Sequence, residues 1–167
     1  MNYHKIEKTS IANGEGIRVV LWVSGCSLYC RGCHNPETWK SDSGYLFNDV
    51  AKKELFGALD KPYIQGITFS GGHPLESVNI NEVYCLCKEI KEKLPSKDIW
   101  LYTGYTFENI SSHPIMLYID VLVDGKYIDE QRDLTLKFRG SKNQRLIDVQ
   151  KSLKENKVIL YNSNYNN

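Results

Sequence analysis

No stretch of the 167-residue chain approaches the roughly 20 consecutive apolar residues of a membrane-spanning helix. An excess of one charge is missing too, since 21 Lys and Arg nearly cancel 20 Asp and Glu to leave a net +1. Without a basic field nothing gathers phosphate backbones or anionic lipid, which argues against a non-specific nucleic-acid or membrane-surface binder. The opening residues MNYHKIEK lack the apolar stretch of a signal peptide, so a cytoplasmic protein is expected. No internal repeat occurs, and the one low-complexity stretch is NSNYNN, residues 162–167, expected to be a frayed tail. The remainder, with 41% apolar and 25% charged residues overall, fits a single globular domain over residues 1–161.

What is present is an odd number of cysteines, five, unevenly spread. Cys26, Cys30 and Cys33 fall within eight residues, and Cys85 and Cys87 stand some fifty residues away. In a reducing compartment a tight cysteine cluster more often holds metal or performs catalysis than forms disulfides.

Short apolar runs alternate with helical patterns. Ile17 to Gly25 (IRVVLWVSG) is rich in β-branched residues and ends on glycine, the mark of a central strand. Gly66 to Gly72, Asp98 to Gly104 and Tyr118 to Gly125 repeat that form, and Lys157 to Tyr161 (KVILY) is a candidate further strand. From Asn81 to Leu94, Val83, Leu86, Cys87, Ile90 and Leu94 share one helical stripe, and Pro95 follows its end. Asn48 to Leu59 reads as a second helix, with Asn48 or Asp49 to cap it. Strand–helix–strand units build parallel sheets, but a full eight-fold barrel needs about 250 residues. The expected fold is therefore α/β, either a partial (βα) barrel or an open twisted parallel sheet, with ligands at the carboxyl ends of its strands. The cysteine loop follows the first of these strands and sits at that end.

Three thiolates spaced C-x3-C-x2-C are soft ligands suited to iron–sulfur or zinc. Structural zinc takes four protein ligands, and no CxxC or HxxxH follows to complete such a set. Cys87 belongs to the helical stripe and Cys85 points elsewhere, so ordinary packing is expected for both. Three ligands on a 4Fe-4S cube leave one iron open, and a small molecule carrying an amine and a carboxylate can chelate it.

The C-x3-C-x2-C motif resembles that of the radical S-adenosylmethionine (SAM) enzymes. The segments NGEGIRVVLWVSGCSLYCRGCHNPETW, GITFSGGHPL, KDIWLYTGY, VLVDGKY and FRGSKNQR extend the resemblance over residues 2 to about 145. Together they resemble the activating proteins of anaerobic ribonucleoside-triphosphate reductases. The resemblance implies a radical SAM fold and a 4Fe-4S cluster on Cys26, Cys30 and Cys33, with SAM on the fourth iron. It also implies reductive cleavage of SAM to a 5′-deoxyadenosyl radical, which makes a glycyl radical on the reductase large subunit. A low-potential donor such as flavodoxin would supply the electron. Gly32, Cys33 and His34 would lie against the adenine of SAM. Gly71, Gly72 and His73 occupy the Gly-Gly-acid motif that holds the SAM amino group. His73 replaces the acid, which would either leave the holding to backbone carbonyls or lower the affinity for SAM.

Rival readings keep the radical SAM core but aim it at another glycyl-radical enzyme of the pyruvate formate-lyase type, or make the chain a non-catalytic iron–sulfur or zinc electron-transfer module. Weaker signals complete the reading. Asn13 to Gly16 is a turn before a strand, not a dinucleotide loop. Thr103, Gly104 and Tyr105, with Asp124 and Gly125, end strands on the active face and suit either packing or SAM contact. Arg139 to Arg145 suits either a partner-binding or a solvated loop.

Overall fold

Alternation along four parallel strands decides how the sheet is covered. The strands are β2 (Arg18–Val23), β4 (Gly66–Gly71), β5 (Asp98–Tyr102) and β6 (Val121–Asp124), and the computed structural model describes residues 1–162 of the chain. Val19, Leu21, Val23, Ile67, Phe69, Ile99, Leu101 and Leu122 face one side and join the main core. Helices α1 (Asp49–Leu59) and α2 (Ile80–Lys93) bring Leu55, Leu59, Val83, Leu86 and Ile90 to that core. Trp100, Val121 and Val123 face the other side, under Phe138 and Tyr161. Burial on both faces explains why these strands read as continuous apolar runs.

The sheet has seven strands in the order β3-β1-β2-β4-β5-β6-β7. The parallel core matches the expectation. Three antiparallel strands flank it: β1 (Asn2–Ser10) and β3 (Tyr45–Leu46) beyond β2, and β7 (Arg145–Asp148) beyond β6. The sheet is open, with β3 and β7 as its outer strands. Two short helices, α3 (Phe107–Ile110) and α4 (Val149–Glu155), complete the fold.

Several expectations are corrected. β1 was not expected, because NYHKIEKTS is largely polar; Tyr3 and Ile6 nevertheless pack on the core while the other face meets solvent. KVILY forms no strand and contributes one isolated bridge, Leu160 to Ile147. Tyr118 to Asp120 precedes β6 instead of belonging to it. The expected tail at 162–167 lies outside the described residues apart from Asn162. Asn48, one of the two candidates, caps α1: its side-chain oxygen accepts from the Val50 and Ala51 amides, both at 3.1 Å.

Asn13 to Gly16 is a turn, as its position predicts. Gly14 (φ +140°) is needed there because a Cβ would stand 2.8 Å from Arg18 Cδ. Arg18 is fully buried at the amino end of β2. Its guanidinium donates to the carbonyls of Glu15 and Ile67 and to Thr68 Oγ1, pairs with Asp98, and lies 5.1 Å from the Trp100 ring. Such dense pairing is what a buried cation requires. No helix among the described residues is long and apolar enough to cross a membrane.

Candidate functional site

At the carboxyl end of β2 the chain leaves the sheet through Ser24 and Gly25. The Gly25 amide donates to Thr38 O at 2.7 Å and the Cys26 amide to Trp39 O at 2.9 Å, so the segment after the cysteines returns to anchor the loop's start. The loop curls tightly: Tyr29 (φ +44°) and Gly32 (φ +69°) both take left-handed backbone, and the Cys33 amide donates to Cys30 O at 3.1 Å. Tyr29 packs edge-on against Trp39, with 5.2 Å between ring centroids.

Neighbouring loops mould its outer shape. Leu28 fills the space at Gly104, where a Cβ would stand 2.2 Å from Leu28 Cδ1. Asp129 fills the space at Gly32, where a Cβ would stand 2.5 Å from its Oδ1, and Tyr127 donates to that same oxygen at 2.9 Å. Ser27 donates its amide (2.9 Å) and hydroxyl (2.8 Å) to Glu76 Oε2. The loops that follow β4, β5 and β6 therefore each touch the cysteine loop.

Cys26, Cys30 and Cys33 are all partly exposed and carry free thiols. Burial raises the Cys26 thiol, and the charges of Cys30, Cys33 and Glu76 push it the same way, against a lowering backbone hydrogen bond from Leu28. Burial also raises the Cys30 thiol; Lys126 and the Tyr127 backbone oppose this, while Cys33 adds to it. The Asn35 amide donates to Cys33 Sγ at 3.4 Å. Among the described residues no group of three or more His, Cys, Asp or Glu is gathered so as to hold a metal ion. The donor chemistry nonetheless fits an iron–sulfur centre. Three soft sulfurs on one loop repel one another as thiolates, a cationic centre relieves that repulsion, and backbone N–H groups are already aimed at sulfur.

The SGGHP turn lies beside this loop. Gly72 is wedged against backbone, for a Cβ there would be 2.7 Å from Gly25 O and 3.0 Å from Thr38 O. At Gly71 (φ +101°) an added Cβ would likewise stand 2.7 Å from Val23 O of β2. The Gly72 amide donates to Val23 O and the His73 amide to Gly25 O, both at 2.8 Å.

His73 is only 1% exposed, so its ring does not face open solvent. Its Nε2 is 2.8 Å from Thr103 Oγ1, and its ring lies edge-on to Tyr105 at 4.5 Å. Burial holds its pKa below the usual histidine value, against the pull of Glu76, so the imidazole is neutral near pH 7. Thr103 Oγ1 already accepts from the Tyr105 amide at 3.1 Å and can give its own proton to His73 Nε2, which leaves the ring proton on Nδ1. Among the described residues that Nδ1 has no hydrogen-bond partner, and it stands 3.7 Å from Glu76 Oε2. His34 is exposed on the loop.

Known proteins resemble this chain over most of its length. The model of the 4Fe-4S single cluster domain matches residues 12–147. The anaerobic ribonucleoside-triphosphate reductase-activating protein of Enterobacteria phage T4 is 47% identical over 148 residues, covering 87% of this chain and 93% of that protein. The protein of the same name from Haemophilus influenzae is 42% identical, covering 86% and 96%. Its counterpart from Escherichia coli K12 is 39% identical with the same coverage. The chain belongs to the family of anaerobic ribonucleoside-triphosphate reductase-activating proteins.

Within this family member, the three cysteines and Gly32 share one loop, Gly71 and Gly72 pack against the strand end and Gly25 that lead into it, and His73 is buried edge-on to Tyr105. Other sequence candidates serve the chain itself. Asp124 is 1% exposed, pairs with Arg145, and accepts from the Phe107 amide at 2.9 Å. Arg139 to Arg145 is fastened to its own body: Arg139 donates to Gln144 O at 3.0 Å and Ser141 is fully buried. Cys87 is buried as expected, but Cys85 is exposed on α2 instead of packed. Sequence reasoning missed Glu76, Asn79 and Leu28. Asn79 is fully buried and donates to Ser24 O (2.8 Å) and His73 O (3.0 Å), joining the two loops. A polar residue at the foot of an amphipathic helix resembles an ordinary cap, and only the fold shows what it reaches.

Proposed function

We propose that this protein is a radical SAM activase of an anaerobic ribonucleoside-triphosphate reductase. The observation that carries the reading is the partly exposed three-thiol loop at the carboxyl end of β2, moulded by the loops after β4, β5 and β6. We take the open sheet as the partial barrel of the radical SAM type, and residues 1–161 as its single domain.

Cys26, Cys30 and Cys33 would hold a 4Fe-4S cluster, leaving one iron for SAM. A cluster held by these residues would supply one-electron chemistry for reductive cleavage of SAM, the source of the radical that would take hydrogen from a glycine Cα of the reductase large subunit. The chain's own residues orient and protect. Backbone amides of Leu28, Tyr127 and Asn35 donate toward the sulfurs, and such bonds tune a cluster's potential. Gly32, Cys33 and His34 would lie against the adenine, with the exposed His34 ring free to stack. Gly71 and Gly72 have no side chain to bar SAM from the backbone. His73 acts from behind this surface, because a buried neutral imidazole orders Thr103 instead of pairing with an ammonium. The target reductase follows from the names of the relatives, and a cytoplasmic setting with a low-potential donor such as flavodoxin completes the reading.

The test is anaerobic reconstitution followed by SAM and dithionite. The reading expects 5′-deoxyadenosine, and a glycyl radical signal when the reductase large subunit is added. A fully loaded, reduced cluster that yields no 5′-deoxyadenosine would return the chain to a non-catalytic electron-transfer module. Activation of a pyruvate formate-lyase type enzyme in place of the reductase would reassign the target.

A further inference from the structure

We infer that Glu76 is the positioning residue of the cysteine loop, holding Ser27, and with it Cys26, against the turn that carries His73. The inference deepens the cluster reading above and rests on it.

The geometry is specific. Both donors of Ser27, the residue after the first thiol, converge on one carboxylate oxygen, at 2.9 Å from the amide and 2.8 Å from the hydroxyl. Among the described residues no amide from Ser27 to Gly32 donates to a backbone carbonyl, so the loop's first half depends on side-chain anchors. Glu76 is itself rigidly placed. Its amide donates to His73 O at 2.9 Å, and its carbonyl accepts from the Asn79 and Ile80 amides at 2.8 and 2.9 Å. It therefore sits in the turn between β4 and α2, fastened to the residues that open α2, and the clamp ties the cysteine loop to that turn.

Charge makes the clamp stronger than a neutral pair would be. Partial burial works against ionisation of Glu76, but the Ser27 amide and hydroxyl and the nearby His73 outweigh it and hold the carboxyl below its usual range. Charge-assisted bonds of this kind are shorter and roughly twice as strong as neutral ones. The unpartnered Nδ1 of His73, buried at 3.7 Å from the same oxygen, places a second donor just outside bonding distance. Glu76 also borders a cavity of about 430 Å³ whose wall includes Cys26 and Trp39. A single carboxylate thus joins the loop after β2 to the turn after β4, and through His73 and Thr103 to the end of β5.

The test uses the full chain with Glu76→Gln and Glu76→Ala, and Glu130→Gln as control. Among the described residues, Glu130 pairs with exposed Arg31 of the loop at 3.3 Å. Amide exchange at Ser27, followed by NMR on the metal-free protein, is expected to quicken at least tenfold in Glu76→Ala and less in Glu76→Gln, with no change in the control. Urea midpoints identify any variant that loosens globally, and Glu76→Gln, which keeps the side chain's size, then carries the comparison. After anaerobic reconstitution, iron loss to a chelator is expected to be several-fold faster in Glu76→Ala than in the parent. The change that SAM produces in the EPR signal of the reduced cluster is expected to weaken in parallel. Unchanged Ser27 exchange overturns the inference, as does faster exchange with parental iron retention and parental EPR response. A parent protein that takes up no cluster overturns the proposed function instead, and Ser27 exchange then decides the clamp by itself.

Discussion

Gly72→Ala is the sharpest probe of how the two loops are fitted. Gly72 has no positive φ, so the substitution carries no backbone strain and its effect is steric. The added Cβ would lie 2.7 Å from Gly25 O, 3.0 Å from Thr38 O and 3.1 Å from Gly25 C, against ordinary contact of 3.4 Å or more. These are backbone atoms on two sides, so no side chain can swing away. Overpacking of this kind costs about 1–3 kcal/mol. Relief requires Gly25 to move, which strains the Gly25 amide bond to Thr38 O and the His73 amide bond to Gly25 O. Each such bond contributes about 1 kcal/mol. Reduced freedom of the unfolded chain returns about 0.4–1 kcal/mol. The net loss is about 2–5 kcal/mol, read from urea midpoints of the metal-free protein. Iron per chain after reconstitution should fall with it, because Cys26 follows Gly25. Gly57→Ala is the internal reference: it lies within α1 with nothing inside 4 Å, and should stabilise by about 1 kcal/mol. A loss below about 0.5 kcal/mol for Gly72→Ala, with full iron content, would refute the fitted-loop argument.

Further outcomes follow from burial and charge. His73 has its folded pKa lowered from 6.5, so its contribution is complete above that value and is lost as pH falls from there toward the folded value. His73→Gln should flatten stability over that window, where the parent's slope from this group is at most about 1.4 kcal/mol per pH unit; an unchanged urea profile would contradict the neutral assignment. Cys26→Ser, Cys30→Ser and Cys33→Ser should each prevent stable cluster loading, measured as iron and sulfide per chain, whereas exposed Cys85→Ser should not. Cys87→Ser should keep the cluster but cost about 1–3 kcal/mol by urea, because a hydroxyl would be buried in the core.

The parallel core was legible because its four strands are buried on both faces and so appear as uninterrupted apolar runs. β1 escaped notice for the opposite reason, since one polar face conceals Tyr3 and Ile6 among charged neighbours. β7 was hidden by its surroundings: Arg145 begins it and is satisfied by Asp124 and Glu108, partners distant in sequence. KVILY has strand-like residues, but the sheet offers it only one bridge. At the site, the cysteines and glycines announced themselves by type and spacing. Glu76 and Asn79 did not, because an acid and an amide near a helix start are common, and their meaning lies in reaching Ser27, Ser24 and His73 across the fold. The buried position of His73 likewise depends on Thr103 and Tyr105 arriving from β5.

An iron–sulfur centre on this loop would keep one iron that the protein leaves unligated. EPR with isotopically labelled SAM on the reduced, reconstituted protein tests this directly. Hyperfine coupling from the labelled amino and carboxylate groups of SAM to the cluster is the predicted result. A cluster that shows no coupling to SAM, or a fourth ligand supplied by a side chain of this polypeptide, would contradict it.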